Sequence, residues 1–279
     1  MKCVNHSRSI DKDTTLCMSL AARPSNIGTR FHNYLYNELG LNYLYKAFTT
    51  TDLAAAIGGI RGLGIRGCAI SMPYKEDVIA LVDVMHESAS AIESVNTIVN
   101  ESGTLHAYNT DYQAVADLLA EHALPTNYTF AIAGSGGMAK AVVAALRNSG
   151  FDDGIVIARN REAGQALAAK YGFDWQPDLD DARPDLLLNA TPIGMTGGPE
   201  SDALPFPHEA VAAASAVFDV VAKPPDTPLV RTARDLGKTV VSGAEVIALQ
   251  AAEQFALYTG VRPTREQIER ASAYSRAVE

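Results

Sequence analysis

The sequence is short of the residues that staple small folds or hold metals. Its three cysteines, Cys3, Cys17 and Cys68, are scattered and show no CxxC spacing, which argues against a disulfide framework and against a structural zinc site. They are expected to be reduced and mostly buried. The six histidines include no HxxxH or HxH pair, so no metal is expected, and His32 reads as a packed helix residue. Basic residues are also in deficit, 23 against 32 acidic for a formal net charge of −9, the reverse of what a phosphate-backbone binder needs. Nucleic acid is therefore not an expected partner. No apolar run approaches the roughly 20 residues that span a bilayer, and the start MKCVNHSRSIDKD has no signal-type segment. The expectation is a cytoplasmic protein without a membrane partner, monomeric or homodimeric.

What is there is ample apolar material, 47% of 279 residues, enough for two ordinary domain cores. Strand-like and helix-like patterns alternate along nearly the whole chain, the mark of an α/β protein. Leu16–Leu20, Tyr43–Phe48 and Arg66–Ser71 read as strands, with helices over Gly28–Leu39 and Asp52–Leu63 between them. Val95–Val99 and Leu105–Tyr108 flank the turn Asn100-Glu101-Ser102-Gly103, a hairpin signal that interrupts the parallel alternation. A helix over Asp111–Ala120 leads into a second series: strand Tyr128–Ala133, glycine turn, helix Ala139–Asn148, strand Gly154–Ala158, helix Glu162–Tyr171, and strands Leu186–Asn189, Val217–Val221 and Thr239–Ser242. Two helices, Glu245–Tyr258 and Thr264–Ala277, close the chain with no strand after them. The predicted organisation is a discontinuous substrate and catalytic α/β domain, 1–112 and 245–279, around a Rossmann-type doubly wound dinucleotide domain, 113–244.

Gly134-Ser135-Gly136-Gly137-Met138-Ala139 follows a buried-type strand and opens a helix. That context suits a dinucleotide pyrophosphate, which needs side-chain-free backbone for close approach and helix N-terminal N–H groups aimed at the anion. An acidic residue at the end of the second strand would hydrogen-bond the 2′-hydroxyl of NAD; here Ala158-Arg159-Asn160-Arg161 stands instead. A guanidinium holds a 2′-phosphate with two parallel hydrogen bonds, so NADP is the expected cofactor. In the first domain, Ser71-Met72-Pro73-Tyr74-Lys75 leaves the C-terminal edge of a strand and turns toward a short helix, and Asn109-Thr110-Asp111 ends another extended segment. A Lys and an Asp converging beside a nicotinamide would handle the proton as an alcohol and a ketone interconvert.

These segments resemble the shikimate dehydrogenase family over nearly the full length. Gly67–Lys75 (GCAISMPYK) is similar to the family's G-x-N-V-T-x-P-x-K, which implies Lys75 as the catalytic lysine and Ser71 in the place of a substrate-binding threonine. Ser94–Ile98 (SVNTI) implies Asn96 as a contact to substrate hydroxyls, and N-T-D implies Asp111 as the catalytic aspartate. The resemblance also implies a substrate-binding Gln250, and a cofactor set of the glycine loop, Arg159, Asn160, Asn189 and Thr191 (in Asn189–Met195, NATPIGM), Val220 and Gly243. The expected ligands are NADP and a shikimate-like carboxylic acid.

The departures lie mostly at the substrate end. The family's H-S-x-S-P-x-x-H-N, whose two serines hold the substrate carboxylate, is here Ser25-Asn26-Ile27-Gly28-Thr29-Arg30-Phe31-His32-Asn33, leaving Ser25 and Asn26 as the available donors. Ala69, Ala222 and Glu245 stand where the family has asparagine, tyrosine and glycine. The resemblance therefore implies a divergent branch: an NADP-dependent dehydrogenase interconverting shikimate, or a close cyclic hydroxy acid, and its 3-dehydro ketone. The alternatives are a quinate or aminoshikimate dehydrogenase, a catalytically weak or inactive metabolite sensor with the same body, and an NADP-dependent enzyme on an unrelated small acid.

Overall fold

The alternating pattern folds into two six-stranded sheets. The structure, a computed structural model, describes residues 10–277; Cys3 and the other residues before Ile10 lie outside them. The chain divides into two compact units, Met1–Thr110 with Ala248–Glu279, and Asp111–Ile247.

The first unit carries β1 (Thr15–Leu20), α1 (Ile27–Glu38), β2 (Tyr43–Phe48), α2 (Leu53–Gly62), β3 (Gly67–Ile70), a 3-10 turn (Asp77–Leu81), β4 (Val84–Met85), α3 (Glu87–Ser90), β5 (Thr97–Glu101) and β6 (Thr104–Tyr108). Its sheet order is β2-β1-β3-β5-β6-β4. β1 pairs in parallel with β2 and β3, whereas β5 runs antiparallel to β3 and β6. Alternate side chains go to opposite faces of a strand, and both faces are covered. Met18, Leu20 and Ile70 pack with Ile57 and Ile60 of α2. Cys17 and Tyr45 pack with Phe31, Leu35 and Tyr36 of α1 and with Phe255 and Tyr258 near the C-terminus. Cys17 and Cys68 are buried free thiols, and burial pushes Cys17 up to about 12.

The hairpin differs from the sequence expectation. The strands run further into the connection, leaving Ser102 and Gly103 at φ 53° and 94° as the two-residue turn. That conformation matches the right-handed strand twist. Asn100, read as part of the turn, lies in β5 and bonds the Ile60 carbonyl.

The second unit carries α4 (Thr110–Glu121), β7 (Phe130–Ala133), α5 (Gly137–Asn148), β8 (Gly154–Ile157), α6 (Arg161–Tyr171), β9 (Asp174–Gln176), β10 (Leu186–Asn189), α7 (His208–Ala213), β11 (Ala216–Asp219), α8 (Pro228–Asp235), β12 (Thr239–Ser242) and the start of α9 (Gly243–Thr259). All its strands are parallel, in the order β12-β11-β10-β7-β8-β9. This is the doubly wound arrangement, two βαβαβ halves meeting at β7 and β10. β7, β10 and β11 are buried throughout, as strands covered on both faces must be. Helix starts follow local chemistry: Asn160 caps α6 by accepting the Ala163 N–H, and Thr227 caps α8 with Pro228 at its first position. The short edge strand β9 and α7 and α8 were not expected from the sequence. After Thr259, α10 (Arg265–Arg276) opens on a capping box between Thr264 and Gln267 and bonds back to α1 through Arg270 and Glu38, 2.5 Å apart.

Candidate active site

In the first unit, backbone bonds draw the predicted substrate residues to one edge of the sheet. Ser71 N–H donates to Leu20 O at 2.9 Å as β3 ends. The Ser71–Lys75 segment forms the turn that leads into the short 3-10 helix Asp77–Leu81: Tyr74 N–H donates to Ser71 O, the Met72-Pro73 peptide is cis, and Tyr74 Oη donates to Thr50 O at 2.7 Å. Lys75 is half-buried, and its carbonyl accepts the Val95 N–H at 2.8 Å. The next residue, Asn96, is pinned on both sides, its carbonyl accepting from Ile70 N–H and its N–H donating to Tyr108 O.

Asn96 is 2% exposed, and its side chain organises the edge. Oδ1 accepts from Thr97 Oγ1 at 2.7 Å, from the Thr110 N–H at 2.8 Å and from Thr110 Oγ1 at 3.2 Å. Gln250 joins through Thr110 Oγ1, 3.4 Å from its Oε1. Asn96 Nδ2 and Ser94 Oγ are buried with no hydrogen-bond partner among the described residues. Unpaired buried donors are uncommon and costly, so this edge suits a hydroxyl-bearing ligand. Asp111 follows in the first turn of α4, 5% exposed. Ser25 and Asn26 sit in the exposed loop before α1, and Asn26, at the capping position, makes no side-chain cap bond.

The second unit contains a cleft of about 690 Å³ at the crossover point of its sheet, lined among others by Gly134, Ser135, Gly136, Ala158, Arg159 and Thr191. Gly134 has φ 120°, and a Cβ there would lie 2.8 Å from Ala190 O, so only glycine lets the β7–α5 turn pass beneath β10's exit. α5 starts at Gly137 with no side-chain cap and no acidic residue in its first turn, which leaves its N-terminal donors to an anion. Arg159 is exposed at the cleft, and no hydrogen bond or ion pair engages its guanidinium among the described residues. A glycine cradle, an open helix start and a free guanidinium fit a phosphorylated dinucleotide.

Other members of the expected cofactor set stand behind this lining. Gly137, Met138 and Ala139 begin α5, and Asn160 is engaged in capping α6. Asn189 is fully buried: Nδ2 bonds Ile193 O and Asp219 Oδ1, while Oδ1 accepts from Thr191 N–H and Oγ1, fixing the turn that carries Thr191. Val220 N–H bonds Asn189 O. Gly243 is needed for packing, because a Cβ there would fall on the Val221 carbonyl. Sequence reasoning passed over Asp219, which supports the Asn189 turn; burial raises its carboxyl to about 6, opposed by its bonds from Thr227, Val221 and Asn189. It also passed over the cleft wall Pro177–Asp180. A single acidic residue closing an apolar strand gives no local sign of such a role.

A doubly wound dinucleotide-type sheet with a free arginine after its second strand, together with an α/β unit presenting a lysine and the unsatisfied Asn96 amide at a sheet edge, defines the class: a two-unit α/β protein built like a dinucleotide-dependent dehydrogenase. Residues 26–98 match the family described as shikimate dehydrogenase substrate binding domain. The chain is 56% identical to a shikimate dehydrogenase-like protein of Haemophilus influenzae, over 96% of this chain and 98% of that one. It is 34% identical to a shikimate dehydrogenase (NADP(+)) of Pelodictyon phaeoclathratiforme, over 83% of this chain and 86% of that one. It superposes with a TM-score of 0.85 on the shikimate 5-dehydrogenase of Thermus thermophilus in complex with NADP(H) and shikimate, at 29% identity, covering 94% of this chain and 99% of that one. The chain belongs to the shikimate dehydrogenase family.

Proposed function

We propose that this protein is an NADP-dependent dehydrogenase that interconverts shikimate, or a close cyclic hydroxy acid, and its 3-dehydro ketone. The observation that carries the reading is the buried Asn96 amide, its oxygen saturated and its Nδ2 without a partner, on the edge that also bears Ser71 and Lys75. In this reading the discontinuous unit binds substrate and the Asp111–Ile247 unit binds cofactor. Bound in the cleft, NADP supplies the hydride acceptor at its nicotinamide. Arg159 holds the 2′-phosphate by charge-assisted bonds. Asn96 and Gln250 bind hydroxyls of the ring, and Ser25, Asn26 and Ser71 supply the remaining polar contacts. As the substrate carbon gives up its hydride, the hydroxyl proton passes to the Lys75–Asp111 pair; in the reverse direction the pair returns it to the carbonyl oxygen.

The test is NADP reduction by the purified protein against shikimate, quinate and related cyclic hydroxy acids. Turnover is expected with shikimate or a near relative, and Lys75→Ala should lower kcat by about 10² to 10⁴ with NADP affinity unchanged. Wild-type turnover in Lys75→Ala would refute the mechanism. Binding of shikimate and NADP with no turnover by the unmutated protein would point instead to metabolite sensing.

A further inference from the structure

Along the chain of bonds from Gln254 through Thr97 to the Asn96 side chain, each donor and acceptor role is set by a neighbour. The Thr110 backbone N–H can only donate, so the Asn96 atom 2.8 Å from it is the oxygen. The Asn96 backbone carbonyl can only accept, so the Gln254 atom facing it at 3.3 Å is Nε2. That same Nε2 lies 3.0 Å from Thr97 Oγ1, which must therefore accept. The single proton of Thr97 is left to donate to Asn96 Oδ1 at 2.7 Å. The chain runs in one direction, from Gln254 through Thr97 to Asn96 Oδ1, and Thr97 and Gln254 are buried at 0% and 4% exposure. Flipping the Asn96 amide would set its NH2 against the Thr110 N–H and remove the acceptor from Thr97.

We infer that Thr97 and Gln254 are positioning residues which lock the Asn96 amide so that the unsatisfied Nδ2 donates to a substrate hydroxyl. The inference rests on the reading of Asn96 as a substrate contact. Neither residue touches the ligand; both act by holding Oδ1 in its acceptor position, which leaves Nδ2 no alternative orientation. A bond preorganised in this way binds ground state and transition state alike, so its loss falls on KM more than on kcat.

The experiment compares Thr97→Val, Thr97→Ser and Gln254→Met with the unmutated protein, measuring KM and kcat for shikimate and, separately, NADP affinity. Thr97→Val keeps the shape and removes the hydroxyl; it should raise KM roughly 3- to 10-fold, the range set by one net hydrogen bond, with kcat and NADP affinity little changed. Thr97→Ser, which retains the hydroxyl, should restore KM, and Gln254→Met should raise it to a smaller extent. In an Asn96→Ala background Thr97→Val should add almost nothing, because it acts through Asn96. If Thr97→Val leaves KM unchanged, or its loss is undiminished in the Asn96→Ala background, the two residues are only structural and the inference fails. If the unmutated protein neither binds nor turns over shikimate, the functional reading fails and the inference falls with it.

Discussion

His122 Nε2 lies 3.1 Å from Glu245 Oε1, joining the end of α4 to the first turn of α9. The other carboxylate oxygen of Glu245 accepts both the N–H and the hydroxyl of Ser242, at 2.8 and 2.7 Å. Glu245 thus closes the N-terminus of α9 in the manner of the third residue of a capping box. Glu245→Ala should cost about 1 kcal/mol and lower Tm by roughly 2 to 4 °C. His122→Ala should cost less, since Glu245 keeps both Ser242 bonds. Equal Tm values for Glu245→Ala and the unmutated protein would refute the cap.

Arg159 bears on cofactor choice. Removing a charge-assisted phosphate contact costs about 1.5 to 3 kcal/mol, or roughly one to two orders of magnitude in affinity. Arg159→Ala should weaken NADP by that factor and leave NAD nearly unchanged in a titration followed by calorimetry. Equal losses for both would sink the assignment.

Gly28 and Asn26 stand where the family resemblance implies serines holding a carboxylate. A Cβ on Gly28 would meet the Tyr45 hydroxyl at 3.6 Å, an ordinary contact, so serine fits there without strain. Asn26 makes no cap bond that serine would forfeit. The double variant Asn26→Ser, Gly28→Ser should fold normally and lower KM for shikimate. An unchanged KM would show that the carboxylate is held elsewhere.

His32 sets a pH dependence of stability. It is fully buried, stacked on Tyr45 with ring centroids 4.3 Å apart, and burial depresses it to about 3 from 6.5; Gln254 opposes this only in part. The folded protein favours the neutral ring, so its contribution is complete above about 6.5 and is lost as pH falls toward 3, at up to about 1.4 kcal/mol per unit. Asp219, raised to about 6 from 3.8, works the other way, its contribution present at low pH and lost as pH rises through that window. Urea unfolding between pH 7 and 5 should therefore show a decline that His32→Leu makes shallower. A variant with the unmutated slope would mean that His32 takes up no proton on unfolding.

Much of the fold was legible along the chain. Most of the expected strands and helices lie within a few residues of those observed, because hydrophobic period, caps and turn residues act over a few positions. The hairpin shifted because its turn type depends on strand twist, which only the paired strands impose. β9 escaped notice because three residues at a sheet edge carry no periodic signal. α8 was hidden by its Pro-Pro-Asp-Thr-Pro approach, which reads as loop even though Thr227 and Pro228 begin the helix.

The sequence by itself determined the alternating α/β pattern, the glycine turn opening a helix, and Arg159 in place of an acidic residue, since each depends on residue types at short spacing. Only the tertiary structure decided what their partners are. Glu245 read as a lost glycine until Ser242 and His122 were seen around its carboxylate. Gln254 carried no signal at all, because the Thr97 hydroxyl it meets is 157 positions away. Bonds between distant residues depend on how sheets and helices come together in space, and that packing is a property of the whole chain.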